Sequence, residues 1–135
     1  MSTDPSLQPF HKQLFEAAPP GSSEFSWLGQ EVVTELCWGY AWTRPGLPRR
    51  DRSLLNIGML MALNRSTELA VHIRGARNNG LSEMEIREAI IHATTYCGMP
   101  AGVDAIKVAE RVLNEMAEKG EKKRELGGKS AQARS

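Results

Sequence analysis

The sequence predicts an all-α domain of about five to six helices. Apolar residues recur at helical spacing in successive segments, and helix start and stop signals separate those segments. No segment shows the polar and apolar alternation of a half-buried strand.

The first 26 residues carry Pro5, Pro9, Pro19, Pro20 and Gly21-Ser22-Ser23, and read as an N-terminal arm. A short helix over 9–17 is compatible with Phe10, Leu14 and Phe15. The stretch 1–15 has no basic flank followed by a long apolar run, so a secretory signal is not expected. Residues 27–117 read as the helical domain. Val32, Val33, Leu36, Cys37 and Tyr40 predict a helix over 30–42, stopped by Thr43-Arg44-Pro45-Gly46. Pro48 suits the first turn of a second helix. Leu54, Leu55, Ile57, Met59, Leu60, Met61 and Leu63 make that helix apolar on most sides. Such a helix is buried all round, which in a chain of 135 residues predicts contacts with other copies as well as a core.

Thr67 is placed to cap a third helix, over 68–78, which Asn79-Gly80 ends. Ser82 and Glu85, three apart, form a capping box that opens a fourth helix through Ile86, Ala89, Ile90, Ala93 and Tyr96. Gly98 ends it, and Pro100 starts a fifth that runs to about Glu118. Residues 118–135 hold six basic and three acidic side chains and Gly127-Gly128, and read as a basic, flexible tail.

At 41% hydrophobic and 24% charged, the chain has the composition of an ordinary globular protein. The net charge of +1 argues against nucleic-acid binding by bulk charge. No apolar run reaches the length of a membrane span. Cys37 and Cys97 form neither a CxxC pair nor a zinc spacing, and read as buried free thiols of a reducing cytoplasm.

Neither a Gly-rich phosphate loop nor a G-x-S-x-G turn is present. His72 and Glu68 share one helix face at i and i−4, and His92 and Glu88 repeat that pattern. These pairs lack the further glutamates of a di-iron bundle, so no metal is expected. Trp38, Trp42, Arg44, Arg49, Arg50 and Arg52 crowd one stretch, and Arg74 and Arg77 follow His72. On an apolar stripe His72 could be a core residue. Guanidinium groups close to it favour an anionic ligand, since Arg pairs with carboxylates bidentately. The alternative use of Arg52 and Arg74 is interhelical ion pairing, with Glu88 or Asp51 as partners.

Several fragments resemble the carboxymuconolactone decarboxylase family, whose fold is alkylhydroperoxidase-D-like. They are Cys37-Trp38-Gly39, Trp42-Thr43-Arg44-Pro45-Gly46-Leu47-Pro48, Arg52-Ser53-Leu54, Glu68-Leu69-Ala70-Val71-His72-Ile73-Arg74, Asn78-Asn79-Gly80, Glu85-Ile86-Arg87-Glu88 and Tyr96-Cys97-Gly98-Met99-Pro100-Ala101. The resemblance spans residues 30 to 116 and leans to the decarboxylase branch. The peroxidase branch needs a CxxC before the histidine, and its cysteine positions are Arg65 and Glu68 here.

The resemblance implies a homo-oligomer, a hexamer built as a trimer of dimers, in the cytoplasm and in aromatic-compound catabolism. It also implies a carboxylated lactone such as 4-carboxymuconolactone as substrate, with neither nucleic acid nor membrane as partner; the alternatives are an isomerase-like member acting on another lactone or acid, and a non-enzymatic oligomer that binds a small anion. Loss of CO2 from that lactone sends electrons through the C=C bond to the ring carbonyl. The substrate is its own electron sink, so no cofactor is expected. The implied catalytic residues are His72, as acid or oxyanion donor, and Glu68, which orients it or relays a proton. Arg52 and Arg74 would bind carboxylates, Trp38 and Trp42 would wall the pocket, and Tyr96 and His92 are further candidates.

Overall fold

A computed structural model describes residues 23–127 of the chain, and these fall into two compact units that meet in sequence between Leu47 and Pro48. In the first unit, α1 spans Glu24–Val33. The Ser23 hydroxyl accepts a hydrogen bond from the Ser26 N–H at 3.4 Å and caps it. The helix therefore starts six residues before the predicted 30, and the expected boundary at 26/27 falls inside it. From Thr34–Ala41 the winding widens to a π-helix, in which the Trp42 N–H reaches the Cys37 carbonyl at 2.9 Å. Cys37, expected buried, is exposed on this segment, whereas Cys97 is half-buried; both are free thiols. Expected bounds at 26/27 and 117/118 thus contrast with a break at 47/48.

Four helices build the second unit: α2 over Arg49–Ala62, α3 over Ser66–Asn78, α4 over Glu83–Cys97 and α5 over Met99–Glu118. No strand occurs among the described residues. α2 packs on α3 and α4, and α5 lies along both of those helices. Ile57 and Met61, Leu69 and Ile73, Ile86 and Ile90, and Val112 and Met116 meet in one core. Each such side chain contributes about 2 kcal/mol through burial.

The stop signals act where the sequence places them. Gly80 has φ +94° and Gly98 φ +99°, both left-handed, and these end α3 and α4. The capping box is complete: the Glu85 N–H donates to the Ser82 hydroxyl and the Ser82 N–H to the Glu85 carboxylate, each at 3.1 Å. α3 begins at Ser66 rather than after Thr67, with Arg65 before it and no side-chain cap. Its first turn is tied instead by the Ser66 hydroxyl, which donates to Asp104 on α5 at 2.6 Å. Gly102 explains how closely α4 and α5 approach: a Cβ there would lie 2.5 Å from the Thr94 methyl group.

The second helix is not buried all round within one chain. Ser53, Ile57 and Met61 are buried, while Leu55, Met59 and Leu63 are each more than half exposed. The residues after α5 also differ from expectation. The stretch 119–127 was expected to be a flexible tail, yet it folds back as a strap. Arg124 Nε donates to Glu83 at 2.8 Å, and its Nη atoms reach Glu110 at 3.1 and 3.2 Å. Glu121 pairs with Arg74 and Glu125 with Arg77. Glu83, only 2% exposed, also accepts the Glu125 N–H. The strap's basic composition hid these partners, of which Glu110 lies 14 residues away and the others more than 40.

Candidate active site

α3 has two working faces because its core residues, Leu69, Ile73 and Ala76, occupy only one stripe. On one side of that stripe His72 turns toward α2. Its Nδ1 lies 3.2 Å from the side-chain amide nitrogen of Asn56. An amide nitrogen can only donate, so in this arrangement Nδ1 accepts. His72 is half-buried, and burial pushes the imidazolium below its ordinary value of 6.5. The ring is therefore neutral at neutral pH.

Glu68 precedes His72 by one turn and is exposed. Arg52 precedes Asn56 by one turn of α2 and is half-buried. Exposed Leu55, Met59 and Val71 stand next to these positions. The Asn56–His72 contact thus has a guanidinium one turn away on α2 and a carboxylate one turn away on α3, with exposed apolar side chains nearby in sequence. Such a set can hold a small anion and donate a hydrogen bond to an oxygen that gains charge.

The other expected site residues make contacts of their own. Arg74 is two residues past His72, about 200° round the helix. It pairs with Glu115 at 3.5 Å and with Glu121 of the strap. Glu88 and Asp51, the pairing partners suggested for the arginines, lie against Arg87 at 3.1 Å and Arg50 at 3.5 Å. His92 and Tyr96 are exposed on α4 with ring centroids 5.3 Å apart. Trp38 and Trp42 belong to the first unit, where they stack at 5.3 Å with 26° between planes. They are four apart, the spacing at which side chains on a helix meet. Among the described residues no three His, Cys, Asp or Glu side chains converge as metal ligands, and no helix is long and apolar enough to cross a membrane.

Sequence reasoning missed Asn56. The available signal was one amide in the apolar run from Leu54 to Leu63. A part-buried polar group there needs a partner, and the neighbouring helix offers His72.

The signature of the carboxymuconolactone decarboxylase family matches residues 29–111, well over half of the chain. The chain belongs to that family. The match contains Arg52, Asn56, Glu68 and His72. Over 140 aligned residues the chain is 41% identical to a nitrosuccinic acid decarboxylase of Metarhizium robertsii, which covers 92% of this chain and 98% of that protein. It is 40% identical to a 4-carboxymuconolactone decarboxylase of Acinetobacter baylyi over 94 residues, 70% of each chain. The helices-only architecture agrees with the expected fold. Arg65 and Glu68, where the thiol branch would carry its cysteines, leave this family member without that redox pair.

Proposed function

We propose that the protein is a decarboxylase that needs no cofactor and acts on a small acid with two carboxylates. The observation that carries this reading is the neutral, half-buried His72 held by Asn56, with Arg52 one turn away on α2. The two named relatives support the reaction class, and the chemistry of their substrates narrows it. In 4-carboxymuconolactone the departing carboxylate is joined through C=C to a lactone carbonyl. In nitrosuccinic acid a nitro group shares a carbon with one carboxylate. Both keep a second carboxylate after CO2 leaves, and both spread the released electron pair onto oxygen. Neither needs an external electron sink.

Arg52 binds the retained carboxylate. His72 donates a hydrogen bond to the oxygen that gains charge, and Glu68 orients His72 or relays the proton that returns to carbon. Apolar Leu55, Met59 and Val71 keep the departing carboxylate poorly hydrated, which favours its loss as neutral CO2. A second copy of the chain covers the stripe of Leu55, Met59 and Leu63, as part of a homohexamer. That stripe, over half exposed at each position in one chain, supports assembly.

The lactone is the substrate that the sequence fragments point to. A specific observation favours nitrosuccinic acid as a second reading: its decarboxylase aligns with nearly the whole chain, including residues outside the family match. Incubation with each compound, followed by CO2 release, tests both. Turnover of one supports the reading and selects the substrate. A folded oligomer that releases CO2 from neither sinks it.

A further inference from the structure

The geometry points to Asn56 as a positioning residue that holds His72 in its Nε2-protonated tautomer, so that the ring meets the substrate with a hydrogen-bond donor. This inference rests on the decarboxylase reading and deepens it. Nothing in the family match or in the relatives' names assigns a role to this asparagine.

Asn56 Nδ2 and His72 Nδ1 are 3.2 Å apart. The amide nitrogen has protons and no lone pair to offer, so the ring nitrogen facing it must be bare. A neutral imidazole carries one proton, which then resides on Nε2. Asn56 is half-buried on α2 and His72 half-buried on α3, so the contact spans two packed helices and fixes the ring plane as well as the tautomer. An asparagine does this without charge. A carboxylate at the same position would accept from Nδ1–H, reverse the tautomer and favour the imidazolium.

The neutrality has a catalytic consequence. The substrate has two carboxylates before reaction and one afterwards. An imidazolium would attract both of them and would stabilise the ground state with its departing carboxylate. A neutral Nε2–H interacts more weakly with that charge than an imidazolium would. It gains strength when charge moves onto the carbonyl or nitro oxygen. Arg52, on the face of α2 that holds Asn56, and Glu68, on the face of α3 that holds His72, are the charged groups nearest in register. Arg52 supplies attraction for the retained carboxylate, so His72 need not.

Nitrogen NMR of histidine-labelled protein reads the tautomer directly, with His72→Gln to assign the signal. The expected wild-type spectrum has a bare Nδ1 and a protonated Nε2 at pH 7.5. Asn56→Asp should reverse the two signals, raise the pH at which the ring titrates, and lower kcat roughly ten-fold or more with KM within about two-fold. Asn56→Gln, which keeps an amide donor, should restore part of kcat and the wild-type tautomer. A wild-type ring protonated at Nδ1 overturns the inference, even if no variant folds. Ring signals that Asn56→Asp leaves in place overturn it too. In either case a large kcat loss in His72→Ala would leave the decarboxylase reading standing. A reversed tautomer with unchanged kcat overturns the positioning role, because the ring would then take no part in the reaction.

Discussion

The two faces of α3 hold similar side-chain types and use them in opposite ways. On the face with Arg74 and Arg77, each guanidinium meets carboxylates from α5 or the strap. On the face with Glu68 and His72, the packed polar contact is neutral, an amide against an imidazole, and apolar side chains stand exposed beside it. Charge matched within the chain holds the fold together. A neutral donor beside exposed apolar surface suits charge that a substrate brings. Basic residues near a histidine in sequence are therefore poor guides to its site, since two residues carry a side chain to the opposite face of a helix.

The largest effect is expected on the strap face. Arg124→Ala leaves the Glu83 carboxylate, 2% exposed, without its guanidinium. Breaking a buried pair on one side should cost about 3 kcal/mol, read by urea unfolding. kcat at a temperature where the variant is folded should not change. A fall in kcat without a fall in stability would break the comparison.

On the other face, His72→Ala should lower kcat by about 10²-fold, or about 2.7 kcal/mol of transition-state stabilisation. Its loss of stability should stay near 1 kcal/mol, the worth of one hydrogen bond. The wild-type pH profile adds a sign. Burial lowers the folded-state value of His72, so kcat should hold through neutral pH and fall on the acid side, below 6.5. The same shift means that the unfolded chain takes up the proton first. The contribution of His72 to stability is therefore present above the unfolded value and is lost as pH falls through that value toward the folded one. Stopped kinetics at pH 5 to 8 beside thermal melts measures both.

Gly102→Ala perturbs neither face and serves as the control. Its Cβ would meet the β-branched Thr94, whose hydroxyl is held by the Ile90 carbonyl at 2.7 Å and cannot swing aside freely. The expected cost is about 1–3 kcal/mol with unchanged kcat in the folded fraction. A change in kcat here would show that turnover follows packing in general rather than one face.

Much of the fold was legible because its signals are local. The Ser82–Glu85 box, the stops at Gly80 and Gly98, and the i, i+4 relation of Glu68 and His72 each lie within one turn of chain. What stayed hidden depends on pairings between elements. Asn56 has no sequence relation to His72, sixteen residues on, until α2 packs against α3. Glu121 and Arg124 look like one more solvated charge run until α3, α4 and α5 bring Arg74, Glu83 and Glu110 to them. The need for glycine at 102 is invisible until Thr94 is set against it. Periodicity reports which face of a helix is apolar, but not which neighbour will receive the polar residues on its flanks.

The smallest effect tests the arginine that sequence proximity favoured most. Arg74 stands two residues from His72 and was expected to hold a substrate carboxylate, in which case its loss would raise KM ten-fold or more. Its guanidinium is instead shared between Glu115 and Glu121, and all three side chains are 30–44% exposed. Pairs so open to water are worth about 0.5–1 kcal/mol together. Arg74→Ala should therefore shift the urea midpoint slightly and leave both kcat and KM within about two-fold of wild type. Arg52→Ala, measured in the same assay, should raise KM by at least ten-fold, since Arg52 lies on the α2 face that holds Asn56. Equal KM effects from the two substitutions would dissolve the distinction between the faces. A larger effect at Arg74 would reverse it, and the substrate would then have to be sought on the strap side of α3.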